Sequence, residues 1–182
     1  MAPRRSSNAS KREWKNAAVC ASNLSELELT LGEVAGAVKD AEQSVSYADR
    51  SGDAFVRMAF RTTHAEALHQ AGRRAEAEAR FREAEQMQAE RKPADPLLDS
   101  MGGFRYCDLL LTEAEREAGK TEGEMNKEGL LAVCRAVSER AASALRIVLK
   151  RLSQSLRHWP ESPHPGPCRA LRRDSRISQR PR

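Results

Sequence analysis

Aromatic residues supply only 4% of this 182-residue chain. The hydrophobic share rests on alanine, leucine and valine, which suit close helix packing and leave little for a strand-built core. The fold class expected is all-α. No stretch approaches the roughly 18 consecutive apolar residues of a membrane span. Residues 1–12 are polar and basic with no apolar segment behind them, so neither a leader nor an anchor is read there and a cytoplasmic chain is expected. The four cysteines, Cys20, Cys107, Cys134 and Cys168, form no C-x-x-C and no short pair. That spacing argues against a disulfide scaffold and reads as small buried thiols in a reducing compartment. The G-x-x-x-x-G-K-[ST] phosphate loop is also missing.

Charge of one sign is scarce in the body of the chain and concentrated at its end. Seven arginines (157, 169, 172, 173, 176, 180 and 182) stand against Glu161 and Asp174, which accounts for the whole net charge of +5. Residues before 157 therefore present a mixed-charge surface. Five of the eight prolines lie in the same tail, and such composition cannot bury enough surface to offset its ordering entropy. The organisation expected is a disordered arm at 1–12, a helical domain at 13–155 and a disordered basic tail at 156–182.

Groups able to carry chemistry are sparse. His64 and His69 are five apart on one helix, a spacing that does not align two ligands, and His64 falls in an apolar stripe as a satisfied, semi-buried side chain. His158, His164 and Cys168 are separated by prolines and have no fourth partner for zinc. No cysteine has a base placed by a recognised pattern. No catalytic residue, cofactor or metal is expected, and the chain is read as not an enzyme.

What the chain does have is self-similarity at a spacing of forty residues. Ser22 to Ala37 realigns on Thr62 to Ala77, with Gly32 on Gly72, and each copy reads as helix, glycine turn, helix. Leu24, Leu27 and Leu31 recur as a stripe before Gly32. Val34, Ala37, Val38, Ala41, Val45 and Ala48 form the next, ending at Ser51-Gly52 with Asp53 as the following N-cap. Val56, Phe60, Ala67 and Leu68, then Ala77, Phe81, Ala84 and Met87, repeat the pattern, with Glu76–Arg80 and Glu78–Arg82 as outward ion pairs. After Lys92-Pro93-Ala94-Asp95-Pro96 a third unit packs through Met101, Phe104, Cys107, Leu110 and Leu111, with Ala114 at the glycine position. Residues 119–124 form a polar linker. Leu131, Cys134, Val137, Ala141, Leu145, Val148 and Leu152 mark one seam on a long last helix.

These features resemble the tetratricopeptide repeat. Leu24 and His64 take its large position, Ser25 and Ala65 the small one after it, and Ala37/Ala77, Ala41/Phe81 and Ser44/Ala84 the three on the second helix. Glu28, Asp49 and Ala89 depart from the pattern, and the unit is longer than about 34 residues. The resemblance implies an α-solenoid of antiparallel helical hairpins. More narrowly, the segments 23–32, 48–55 and 103–111 resemble the C-terminal repeat region of bacterial signalling ATPases of the NACHT or NB-ARC type. The Arg/Pro/Ser tail has the composition of a shifted reading frame or a late truncation, so the chain reads as a remnant of such a protein.

The same resemblance implies a protein-interaction module that holds an extended peptide on the concave helix face. The residues implied are Asn23, Glu26, Thr30, Thr62, Thr63, Glu66, His69, Gln70 and Arg105. Val19, Ala59 and Met101 stand where carboxylate-binding members carry lysines, so a carboxylate clamp is not expected. A second copy is a further partner, through the seam from Leu131 to Leu152. The alternative function is a nucleic-acid-associating accessory protein that uses the basic tail, although Trp159 alone offers no stacking platform.

Overall fold

Left-handed backbone is cheap only for glycine, and three glycines set the helix boundaries. The computed structural model describes residues 4–119 and 127–157. Among them are six helices and no strand: α1 (Arg4–Leu31), α2 (Val34–Ser51), α3 (Ala54–Gln70), α4 (Arg74–Arg91), α5 (Ser100–Ala118) and α6 (Lys127–Arg157). The protein is all-α. None of these helices is long and apolar enough to cross a membrane. Gly32 and Gly72 end α1 and α3 at φ of 82° and 74°. Their turns carry the same bonds forty residues apart: Glu33 N–H to Glu28 O at 2.8 Å, and Arg73 N–H to Leu68 O at 2.9 Å. Asp53 caps α3 as expected, accepting from the N–H groups of Phe55 and Val56 at 3.0 and 3.1 Å.

The described residues up to Val148 form one compact unit. A second begins at Leu149, and its described part, 149–157, is helical. Within the first unit, α1 packs on α2 and α3, α3 also on α2, α4 and α5, and α4 on α5. Thus α1, α3 and α5 lie side by side while α2 and α4 back them. The largest core cluster gathers Leu68, Ala77, Phe81, Ala84, Leu98, Tyr106 and Leu109, with the Phe81 and Tyr106 rings stacked at 4.9 Å. The first hairpin is held by smaller groups. Ala37 and Ala41 meet Ala67, Ala18 and Ala48 meet Val56, and the Ser25 hydroxyl donates to Ala37 O at 2.8 Å.

Several expectations need correction. Helix α1 starts at Arg4, so residues 4–12 are helical rather than a disordered arm; no proline or glycine interrupts the chain between Arg4 and Leu31. The Leu24, Leu27 and Leu31 stripe is exposed, because α1 packs through Ala18, Ser22 and Ser25 instead. Met101 and Phe104 are likewise exposed, and α5 buries Gly103, Tyr106, Leu109 and Ala114. A Cβ on Gly103 would stand 2.4 Å from the Leu98 carbonyl oxygen, so only glycine lets that backbone approach. Helix α5 continues through Ala114 to Ala118. Cys20 and Cys134 are exposed and Cys107 half-buried, so only the last approaches the expected buried thiol. Glu78 does pair with Arg82, but Glu76 pairs with Arg73 and Arg80 with Glu83, one turn apart in each case. Helix α6 buries Val137 and leaves Leu131, Leu145 and Leu152 mostly exposed. The linker expected at 119–124 falls, beyond Gly119, outside the described residues, as does the basic tail from 158 on.

Candidate protein-interaction face

Side-by-side placement of α1, α3 and α5 brings residues far apart in sequence onto one surface. The Arg105 guanidinium on α5 donates to the Glu26 carboxylate on α1 at 3.0 Å, a contact across 79 positions that spans α3. Both were expected at the site. Asn23 and Gln70 are exposed nearby along the same helices. Thr30 is also exposed, and its hydroxyl is spent on its own helix, donating to Glu26 O at 3.0 Å.

The face then divides into residues that remain available and residues that act as joints. Thr62 and Thr63 belong to the second group, which corrects their expected role. Both are buried. Ser22 donates to the Thr63 hydroxyl at 3.3 Å, linking α1 to α3, and the Thr62 methyl abuts Gly102 of α5, where an added Cβ would lie 3.3 Å away. Small groups are needed there because neighbouring helix backbones come close.

Glu66 and His69 hold unused polar atoms. One Glu66 oxygen accepts from Gln70 at 2.9 Å, while Oε2 is shielded from solvent with no partner. The Thr112 hydroxyl donates to Asp108 O at 3.2 Å and meets His69 Nε2 at 2.9 Å. With its proton so placed, Thr112 accepts from Nε2–H, an assignment made from the network. His69 Nδ1 is left 3.7 Å from the Asp108 carboxylate, beyond hydrogen-bond distance. Asp108 and Thr112 escaped sequence reading; their register, three and seven residues after Arg105, was the available signal.

Behind this face lies an ionic joint that the sequence did not reveal. Arg61 on α3 is only 5% exposed. It donates to both oxygens of Asp49 on α2 at 3.0 and 3.1 Å, to Glu83 on α4 at 2.6 Å, and to Arg57 O at 3.0 Å. Arg57 and Arg80 complete the charge balance at Asp49 and Glu83. Burial pushes both carboxyls upward, but hydrogen bonds and positive charge from Arg61, with Arg57 at Asp49 and Arg80 at Glu83, outweigh it and hold both below their ordinary values. One guanidinium thereby ties three helices together.

His64, expected as a satisfied histidine, is 5% exposed, and its Nδ1 has no partner. Burial, reinforced by the Arg80 charge, holds its pKa below the ordinary value. It fills space in the α3 joint. Among the described residues, no group of three or more His, Cys, Asp or Glu side chains could hold a metal ion. The chain matches no protein-family model, no curated protein and no solved structure.

Proposed function

We propose that the chain is a protein-interaction module built as a short tetratricopeptide-like solenoid, in which α1, α3 and α5 present an inner face to an extended peptide. The contact order supports the solenoid reading: each odd-numbered helix after the first sits against both helices of the hairpin before it. The duplicated glycine turns support it too. The observation that carries the binding reading is the Glu26–Arg105 bridge, which joins polar side chains of α1 and α5, both packed against α3.

The chemistry of that surface selects its ligand. Exposed Glu26 and Asp108 with half-buried Glu66 give this face more acceptors than Arg105 gives donors. An extended segment offering backbone N–H groups and basic side chains would meet these acceptors, with charge assistance from the carboxylates. Resemblance to the repeat regions of NACHT or NB-ARC signalling ATPases favours a regulatory partner protein over a metabolite. The reading is tested with a fluorescent library of basic, neutral and acidic peptides. Basic members are expected to bind, and Glu26→Gln together with Glu66→Gln to weaken them by at least about tenfold, the equivalent of 1.4 kcal/mol. Absence of binding by every class, or equal binding by the double variant, would exclude this face.

A further inference from the structure

A solenoid repeats its joints, and among the described residues one half of a joint is exposed at each end of the series. The forty-residue register, extended to forty-two for the third unit, aligns Leu27 with Ala67 and Leu109, and Leu24 with His64 and Tyr106. In α3, Ala67 packs on Ala37 and Ala41 of the preceding hairpin. In α5, Leu109 packs among Ala77, Phe81 and Ala84 of its preceding hairpin. His64 and Tyr106 are both buried. Only the α1 members lack a cover: Leu24 is 47% exposed and Leu27 is 55% exposed.

The complementary half lies between α5 and α6. An open apolar groove of about 260 Å³ runs there, lined on α5 by Gly103, Phe104 and Cys107 and on α6 by Ala141, Ala144 and Leu145. Ala141, Leu145 and Val148 repeat the spacing of Ala37, Ala41 and Ser44 on α2 and of Ala77, Phe81 and Ala84 on α4. Phe104 falls in register with Ser22 and Thr62, each of which touches the next odd-numbered helix, at Thr63 and Gly102 respectively. Phe104 itself is 66% exposed.

From this register we infer that the α5/α6 groove receives the Leu24–Leu27 face of α1 from a second copy, so that chains stack head to tail and continue the internal packing across the junction. Helix α1 is held on α2 and α3 at the opposite end of the series, so a chain's own α1 cannot fill its groove. The contact is heterologous and leaves one free half at each end of every assembly, which makes growth open-ended unless rotation closes a ring. The inference rests on the solenoid reading above and adds the identity of the occupant.

Complementation between two variants tests it. Leu27→Glu blocks α1 and spares the groove; Leu145→Glu blocks the groove and spares α1. Both side chains are exposed, so each variant should keep the wild-type helical circular dichroism and, at low micromolar concentration where chains are separate, the wild-type melting temperature. In sedimentation velocity, wild type should form a concentration-dependent series, each variant alone should be monomeric, and an equimolar mixture should stop at a dimer. Wild type that stays monomeric at several hundred micromolar would overturn the inference. So would a Leu27→Glu protein that still associates, since that would mean pairing of α6 with α6, or a mixture that stays monomeric. Leu27 lies about 100° round α1 from Glu26, so the monomeric variants can be assayed for peptide binding separately. Binding retained without complementation would end the stacking inference alone; complementation without peptide binding would end the inner-face reading alone.

Discussion

The second hairpin and the third use the same kinds of helix, yet one is filled and the other is open. Between α3, α4 and α5, Phe81 is fully buried and stacked on Tyr106, with Leu68 and Leu109 closing round it. Between α5 and α6, Phe104 stands mostly in solvent beside a groove. Composition does not explain the contrast, since both regions mix alanine and leucine and each has a phenylalanine to place, Phe81 in one and Phe104 in the other. Succession does. The second hairpin has a following helix seated on it, and the third has none among the described residues. Apolar patterning supplies a surface able to be covered, and the neighbour decides whether it is.

The largest test of that contrast is Phe81→Ala. Removing a fully buried ring and with it the stacking contact to Tyr106 should cost about 3–5 kcal/mol, read as the shift in urea midpoint at constant slope. A cost below about 1 kcal/mol would show that the second hairpin is as loosely packed as the third. Next comes Arg61→Met, which keeps the aliphatic stem and removes the guanidinium shared by α2, α3 and α4. Buried pairs lose about 3–5 kcal/mol when one partner goes, but Asp49 and Glu83 are about two-fifths exposed and water can take up their charge. A loss of about 1–3 kcal/mol is expected, between the buried limit and the small value of exposed pairs. An unchanged midpoint would mean that the ionic joint does not hold the hairpins together.

The sequence showed the joints made of glycine and alanine far better than those made of charge. Gly32 and Gly72 were legible because a left-handed turn asks for glycine, and Ala37, Ala41, Ala77, Phe81 and Ala84 because their spacing fits one helix face. Arg61 was not, since its partners lie twelve positions before and twenty-two after it, and an arginine between Phe60 and Thr62 reads as surface. The leucines of α1 were misread for a related reason. Periodicity tells which residues share a face, and it carries no information about which face has a neighbour. Thr62 and Thr63 show the reverse error: polar side chains assigned to an open face are enclosed because α1, α3 and α5 approach closely. Glu26 and Arg105 were both named, but their bond depends on helix stacking and not on local pattern.

Acid should dissolve the filled joints before the open one responds, because the buried or ion-paired groups His64, Asp49 and Glu83 that take up protons at low pH sit in those joints. His64 has its folded pKa below the ordinary 6.5. The unfolded chain therefore binds the proton first as pH falls, and stability present above about 6.5 declines between that value and the folded one. Asp49 and Glu83 are likewise lowered from 3.8 and 4.5, so their contribution is present above those values and is lost further down. Melting temperature should fall in two stages. His64→Leu, which places a leucine where the first repeat has Leu24, should flatten the first stage and leave the second. If wild type and His64→Leu decline in parallel between about pH 7 and pH 5, His64 does not titrate with unfolding.

The smallest effect belongs to the open region, and its smallness is what gives it meaning. Phe104→Ser removes the same ring as Phe81→Ala, but from a side chain that is 66% exposed. Most of its apolar surface is already in water, so little transfer free energy is forfeited, and no closed cavity forms because the groove is open to solvent. Serine at the position matches Ser22 and Thr62, the small hydroxyl residues that occupy the register in α1 and α3, and its lower helix propensity costs only a few tenths of a kcal/mol. The midpoint at low micromolar concentration, where chains are separate, should move by no more than about 0.5 kcal/mol. Raising the concentration then divides the two sources of stability. If copies cover the groove, wild type should gain melting temperature with concentration while the groove-blocking Leu145→Glu gains less, because a contact that binds only the folded chain stabilises it by mass action. A loss of 2 kcal/mol or more in dilute Phe104→Ser would instead mean that Phe104 is already packed within a single chain, and the contrast between a filled and an open hairpin would fail.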